Sequence, residues 1–312
     1  MAVYSRSAKS AHSVLEGASH SAEVYSNDSP KGKQLEDLLA RKDLDVVIVA
    51  LPINVQPDVI KQALLAGKHV LSEKPIAKDV KTAEELIKFY RNLGSGAPHW
   101  GVAENFRYMV AYDKANAITA SYGKVTNFQL NFYGRVNVGD KYFETPWRKV
   151  PDYQGGFLLD GGVHFVASLR KLLGQPIDKI VSFSKLTLDY LPPIDTVNGV
   201  GVLKDGTSGT LSMTFAASKG GLEATVQFEK GYVTASPGSF TYKALDDKTA
   251  TTVEVKDNDG EKAVHKEVDA FIKGVVAKKA DPKQSPEEAF EDLALVEALC
   301  QSNGTLYKVA HI

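Results

Sequence analysis

Asp45-Val46-Val47-Ile48-Val49-Ala50-Leu51-Pro52 is a run of apolar, largely β-branched residues with no polar alternation, closed by a proline. A strand that shows one face to water alternates, whereas one covered on both faces does not, so residues 45–50 read as an inner strand of a parallel sheet. Outward from that run, helices and strands take turns. On the amino-terminal side, residues 33–41 have helical spacing, residues 2–4 read as a strand, and a polar helix opens at Ser7. On the carboxyl-terminal side, a helix over residues 57–66 stops at Gly67, residues 68–71 form a strand, residues 79–93 a helix, and residues 100–103 a further strand. This alternation predicts an α/β domain over residues 1–108, built on an open, doubly wound parallel sheet.

Beyond residue 108 the pattern changes. A helix from residue 111 leads to an alternating strand at 125–133, and a helix at 164–173 leads to strands near 179–188, 196–203, 209–215, 223–229, 232–235 and 252–255. Turn signals such as Lys204-Asp205-Gly206 and Glu229-Lys230-Gly231 join them, and a helix at 286–301 follows. Residues 109–312 are therefore expected to form an α+β domain around a large, mostly antiparallel sheet. Residues 246–261 read as a polar, mobile hairpin region.

Composition narrows the partners. The 312 residues are 43% hydrophobic and 24% charged with a formal net charge of −1, so there is core enough for two domains and no basic field for nucleic acid or an anionic membrane. A single cysteine, Cys300, rules out an intramolecular disulfide and a cysteine-rich zinc site, and no metal site is expected. Neither a signal peptide at Met1-Ala2-Val3-Tyr4 nor a stretch of roughly 18 apolar residues is found, so a soluble, cytoplasmic protein acting on a small molecule is expected.

Two clusters carry the chemistry. Ser72-Glu73-Lys74-Pro75-Ile76 ends a predicted parallel strand, where ligands of such sheets collect. The plain alternative is an exposed charged pair before a proline turn. Gly155-Gly156-Phe157-Leu158-Leu159-Asp160-Gly161-Gly162-Val163-His164 passes from glycines into a helix whose Asp160 and His164, four residues apart, share a face. A carboxylate beside an imidazole orients the ring for proton exchange near neutral pH, and the plain alternative is a capping aspartate and a half-buried histidine.

Together with Ala103-Glu104-Asn105-Phe106-Arg107-Tyr108, these motifs resemble the glucose–fructose oxidoreductase and inositol dehydrogenase family, in the family's order and along the whole chain. The Ala-Glu-Asn stretch is similar, more narrowly, to fungal NADP-dependent members. The resemblance implies a Rossmann-type domain, hydride transfer between nicotinamide and a sugar, polyol or small carbonyl compound, and a catalytic set of Lys74, Asp160 and His164. Lys74 would be the acid/base itself or would lower the proton affinity of His164. The Lys74–Pro75 bond is expected to be cis, as is common in the family. Pro52, Asn54, Glu73, Lys74 and Asn105 would touch the cofactor, and Arg107, Tyr108, Trp147 and Arg148 the substrate; most relatives carry histidine where this chain has Gln56. The family also implies a homodimer, through a broad apolar face of the second domain's sheet. A second class is a non-catalytic sensor of dinucleotide or sugar, like the family's galactose-pathway co-repressors, which have generally lost the lysine–histidine pair.

The family's Gly-x-Gly-x-x-Gly phosphate loop is absent from this sequence. Residues 2–4 match the family's second strand, so the first βα unit is expected to be missing, the strand at 2–4 to be displaced or frayed, and cofactor binding to be weak. At the following turn, Ser5, Arg6 and Lys9 stand where an acidic residue would bind the ribose of NAD, which favours the 2′-phosphate of NADP.

Overall fold

The computed structural model describes residues 1–255 and 259–312. Its first half alternates β1 (Ala2–Ser5), α1 (Ala8–Leu15), β2 (Glu23–Ser26), α2 (Leu35–Leu39), β3 (Val46–Val49), α3 (Gln56–Leu65), β4 (His69–Glu73), α4 (Val80–Asn92) and β5 (Trp100–Ala103). Helix starts are set by side chains that satisfy orphan amides: Ser7 accepts from Ser10 N–H and Asp79 from Thr82 N–H. Gly67, in the left-handed region at φ +78°, lets the chain turn directly from α3 into β4.

The parallel sheet comes in two pieces. β3, β4 and β5 pair in that order, β1 pairs with β2, and no described strand joins β1 to β3. This corrects the expectation that the β3 run is covered on both faces, because Ile48 is 59% exposed while Val49 is 2% exposed. An edge strand lacking a neighbour lacks that neighbour's helix as well. β1 is not frayed: each of its four residues is in register with β2, from Ala2 opposite Glu23 to Ser5 opposite Ser26.

A short 3₁₀ turn (Asn105–Tyr108) leads into α5 (Val110–Thr119), β6 (Val125–Arg135), α6 (Pro146–Lys149), α7 (Phe157–Leu173), β7 (Ile177–Lys185), β8 (Thr196–Leu203), β9 (Ser208–Thr214) and β10 (Ala216–Phe228). Then come β11 (Gly231–Ser236), β12 (Ser239–Ala244), β13 (Thr251–Glu254), α8 (Asp259–Ala277), a 3₁₀ turn (Pro282–Gln284), α9 (Pro286–Gln301) and β14 (Tyr307–Lys308). Nine strands form one sheet in the order β13-β12-β11-β10-β6-β9-β8-β7-β14, antiparallel except between β6 and β9. α7 and α9 cover one face. There the Phe165 ring of α7 stacks on Phe132 of β6 with centroids 3.7 Å apart, and Phe290, Leu293 and Leu299 of α9 are buried.

Two features depart from the sequence reading. The opposite sheet face, expected to be broadly apolar, carries Thr196, Asn198, Ser212 and Thr214 among the exposed or half-exposed Phe183, Val200 and Tyr133. The polar stretch read as a hairpin at 246–261 does form one as far as β13, which pairs antiparallel with β12, but a 19-residue helix, α8, starts at Asp259, with residues 256–258 outside those described. That helix escapes a search for an apolar stripe because its inward side holds Ala263, Glu267, Phe271 and Gly274, while Val264 and Ile272 are 45% and 41% exposed. It is tied down at its start, where the Asp259 carboxylate accepts from Val110 and Ala111 N–H at the head of α5. Farther along, Phe271 packs on Leu71 and Ala103.

Candidate active site

The carboxyl ends of β3, β4 and β5 open onto a cleft of about 650 Å³. Ala50, Leu51, Pro52, Ile53, Glu73, Lys74, Ala103 and Asn105 line one side, and Trp147, Arg148, Asp160, His164, Phe215 and Glu267 are among those lining the other. Lys74 follows β4 directly, and its bond to Pro75 is cis. The turn is clamped by Gln56, buried, whose amide donates to the carbonyls of Glu73 (3.1 Å) and Pro75 (3.3 Å). The residue that replaces the family's histidine thus holds the lysine turn through its backbone.

The other wall depends on how α7 begins. Gly155 and Gly156 have φ of +73° and +51°, and a Cβ on Gly156 would stand 2.5 Å from the carbonyl oxygen of Pro192. Only glycine meets both demands without strain. The helix then runs from Phe157, directly after the two glycines as the motif predicts, and carries Asp160 and His164 on one face. Lys74 Nζ donates to the Asp160 carbonyl (2.8 Å) and to its carboxylate (3.1 Å), and Arg148 Nε donates to the other carboxylate oxygen (2.7 Å). Burial alone would raise the Asp160 carboxyl, but the two cations overcome it and hold it below the usual range. The Arg148 guanidinium in turn lies 4.1 Å over the Trp147 ring and 5.2 Å from that of Tyr142.

Asp160 is therefore not the partner of His164, as its helical spacing had implied. That partner is Glu104, 1% exposed, whose carboxylate lies 2.7 Å from His164 Nδ1. Burial works against the Glu104 charge, yet His164, Arg107 and Lys74 together hold the carboxyl below its ordinary range. Phe106 stacks on the imidazole, centroids 4.9 Å apart and planes 21° from parallel. Glu73 is pushed the other way, because burial outweighs the pull of Lys74 and His164. Glu267 of α8, buried at the edge of the cleft, is pushed up to about 8 by burial and by the charges of Glu73 and Glu104, and its Oε2 has no hydrogen-bond partner among the described residues. Glu104 stands in a quoted motif, but nothing in the sequence links it to a histidine 60 residues away. Glu267 lies in the helix whose pattern was unreadable.

Of the other expected residues, Pro52, Glu73, Asn105, Trp147 and Arg148 line the cleft, and Asn105 Nδ2 donates to the Gly260 carbonyl. Arg107 and Tyr108 do not. Arg107 is buried and donates to Asp292 and to the Glu288 carbonyl, and the Tyr108 hydroxyl donates to Asp281 (2.8 Å). A guanidinium tied to an internal carboxylate braces α9 and is turned from a substrate, which corrects the role expected for both residues. Asn54 donates to Asp152 and lies just past the cleft wall. Ser5, Arg6 and Lys9 lie at the β1–α1 turn with both cations exposed, and there the Asp28 carboxylate accepts from Ala8 N–H (2.8 Å).

These residues suit the nicotinamide half of a dinucleotide. Ala50, Leu51, Pro52 and Ile53 give an apolar wall at a strand's carboxyl end, and the buried Asn54 Oδ1 beside them has no hydrogen-bond partner among the described residues.

Comparison with known proteins agrees with this architecture. Residues 1–95 match the model of an oxidoreductase family with an NAD-binding Rossmann fold, and residues 116–309 match that family's C-terminal alpha/beta domain. Dehydrogenase FPY6 of Fusarium mangiferae is 41% identical over 310 residues, covering 96% of this chain and 88% of that protein. D-xylose 1-dehydrogenase (NADP(+)) 2 of Haloferax volcanii is 26% identical over 282 residues, covering 86% and 81%. Among solved structures, an oxidoreductase from Thermotoga maritima superposes with a TM-score of 0.84 at 28% identity, covering 98% of this chain and 88% of that one. Levoglucosan dehydrogenase in complex with NADH shares the fold at a TM-score of 0.83 and 16% identity, covering 99% and 89%. The chain belongs to the oxidoreductase family of glucose–fructose oxidoreductase and inositol dehydrogenase, with a Rossmann-type sheet followed by the family's α/β domain.

Proposed function

We propose that the protein oxidises or reduces a carbinol or carbonyl carbon of a sugar, polyol or small carbonyl compound, with Lys74 and His164 handling the hydroxyl proton. The observation that carries this reading is their meeting in one cleft at the carboxyl ends of β3, β4 and β5. A bound nicotinamide dinucleotide supplies the hydride acceptor or donor. The protein's own part is to orient the substrate oxygen, with Lys74 offering positive charge where an alkoxide develops and His164 exchanging the proton. Trp147 and Arg148 present an aromatic face and a guanidinium suited to a polyhydroxy compound. Support for a sugar also comes from the relative named as a D-xylose dehydrogenase.

NADP(H) is favoured over NAD(H), because Arg6 and Lys9 are exposed cations beside the turn after β1, and an NADP-dependent relative agrees. We place the boundary between cofactor and substrate domains between residues 108 and 109, within the interval separating the two family matches. A homodimer through the open sheet face and a reducing, cytoplasmic setting, the latter from the single cysteine, belong to the same proposal.

Fluorescence titration with NADPH and with NADH is the test, followed by turnover assays on D-xylose, levoglucosan and inositol. NADPH should bind more tightly, Lys74→Met and His164→Asn should each abolish turnover, and His164→Asn should still bind NADPH. Failure of both nucleotides to bind would overturn the reading.

A further inference from the structure

We infer that Glu104 is the positioning residue of the proton-transfer step: it fixes the tautomer and plane of His164, leaving Nε2 as the nitrogen that meets the substrate. The inference rests on the oxidoreductase reading above and deepens it. His164 Nδ1 lies 2.7 Å from Glu104 Oε1, a carboxylate 1% exposed and therefore unable to exchange His164 for water. A carboxylate only accepts, so Nδ1 carries the hydrogen and the lone pair of the neutral ring is on Nε2. Phe106, stacked at 4.9 Å, closes one face of the ring and limits its rotation.

The same geometry divides labour between the two candidate groups. Lys74 spends two of its three N–H donors on Asp160, through the main-chain carbonyl and the carboxylate, which Arg148 holds from its other side. That lysine is a fixed cation with one donor left for the substrate oxygen. In the oxidation direction the hydroxyl proton passes to His164 Nε2, while the C–H bond breaks and its electron pair leaves with the hydride to the oxidised nicotinamide dinucleotide. The carbon–oxygen double bond forms from the O–H electron pair. The ring is then an imidazolium facing the Glu104 carboxylate, and reduction runs the same transfers backwards. Glu104 thus does for this histidine what a buried aspartate does for the histidine of a serine-protease triad.

Titratable groups facing the pair are Lys74 and Glu73 from the end of β4, Arg107 from the turn after β5, Glu267 from α8 and Asp292 from α9. All of them remain when Glu104 is made neutral, so Glu104→Gln isolates the partner. The experiment is ¹⁵N-detected NMR of the His164 ring, assigned with His164→Asn, in the wild type, Glu104→Gln, Glu104→Asp and Asp160→Asn, with steady-state kinetics beside it. The wild-type ring should be a single Nδ1–H tautomer. Glu104→Gln should mix the tautomers and reduce kcat on the order of 10²-fold with little change in cofactor KM. Glu104→Asp should restore the wild-type tautomer and part of the rate.

An unchanged ring in Glu104→Gln, or a tautomer that responds to Asp160→Asn and not to Glu104, would overturn the inference. Should Glu104→Gln fail to fold, the Glu104→Asp and Asp160→Asn rings decide the matter: a ring that follows Asp160 alone refutes the pairing. A wild type that turns over no substrate yet shows the expected ring behaviour would refute the oxidoreductase reading and leave the pairing standing.

Discussion

Replacing Asp160 with asparagine removes one negative charge from between two cations and changes almost nothing in size. The carboxylate side chain is 10% exposed, and the Lys74 and Arg148 side chains that hold it are 15% and 18% exposed. Breaking a buried pair by neutralising one member leaves uncompensated charge and costs about 3–5 kcal/mol; partial access to water places this site near about 3 kcal/mol. Unfolding entropy of about 2.1 cal/mol/K per residue over 312 residues converts that loss into a fall of about 5 °C in Tm. The pH dependence has a definite sign. Because the folded carboxyl is depressed below its ordinary 3.8, its stabilisation is fully present above that value and is lost as pH falls through the folded value. Differential scanning calorimetry of wild type and Asp160→Asn at pH 7, 5, 4 and 3 should therefore show a constant gap down to about pH 4 that narrows below it. A gap as wide at pH 3 as at pH 7, or one under about 1 °C throughout, would refute the reasoning.

Glu267 should behave in the opposite sense: its carboxyl is pushed up to about 8, so wild-type stability declines between about pH 4.5 and 8, and Glu267→Gln should raise Tm at pH 8.5 but not at pH 4.5. A pH-independent difference in the melting curves would count against a neutral Glu267. Gly156→Ala should destabilise by roughly 2–4 kcal/mol in urea unfolding, since it combines a positive φ with a Cβ placed 2.5 Å from the Pro192 carbonyl oxygen. It should also lose turnover out of proportion to stability, because α7 carries both Asp160 and His164; a variant with wild-type midpoint and rate would show the turn is forgiving. Light scattering at micromolar concentration should give twice the chain mass, and Phe183→Lys on the open sheet face should halve it, whereas a monomeric wild type would dismiss that interface.

Most of the architecture was legible because period and punctuation agreed. The β-branched run at Val46–Val49, the stop at Gly67 and the helical spacing over residues 79–93 each pointed to the element found there. Places where the reading fell short share a cause, which is polar chemistry at positions that pattern assigns to packing. α8 was missed because Glu267 and Gly274 occupy its inward face. Glu104 was passed over because its partner depends on how α7 is docked against the end of β5, a tertiary fact absent from local spacing. Asp160 and His164 do share a helical face, but sharing a face brought them to different neighbours. Arg107 lay in a motif near the cleft and was turned inward by Asp292, 185 residues later in the chain.

The parallel pairing of β6 with β9 has a consequence for synthesis. β6 ends at Arg135, and its neighbours β9 and β10 begin only at Ser208 and Ala216, so the middle strand of the large sheet leaves the ribosome long before either edge can be satisfied. At about 5–20 residues per second the wait is on the order of 4–15 s, during which Phe128, Leu130 and Phe132 have no sheet to join. What arrives in that interval is α7, complete at Leu173, with Phe165 ready to stack on Phe132. The helix that sets Asp160 and His164 in the cleft is thus also a shelter for the apolar face of a strand that must wait for its neighbours.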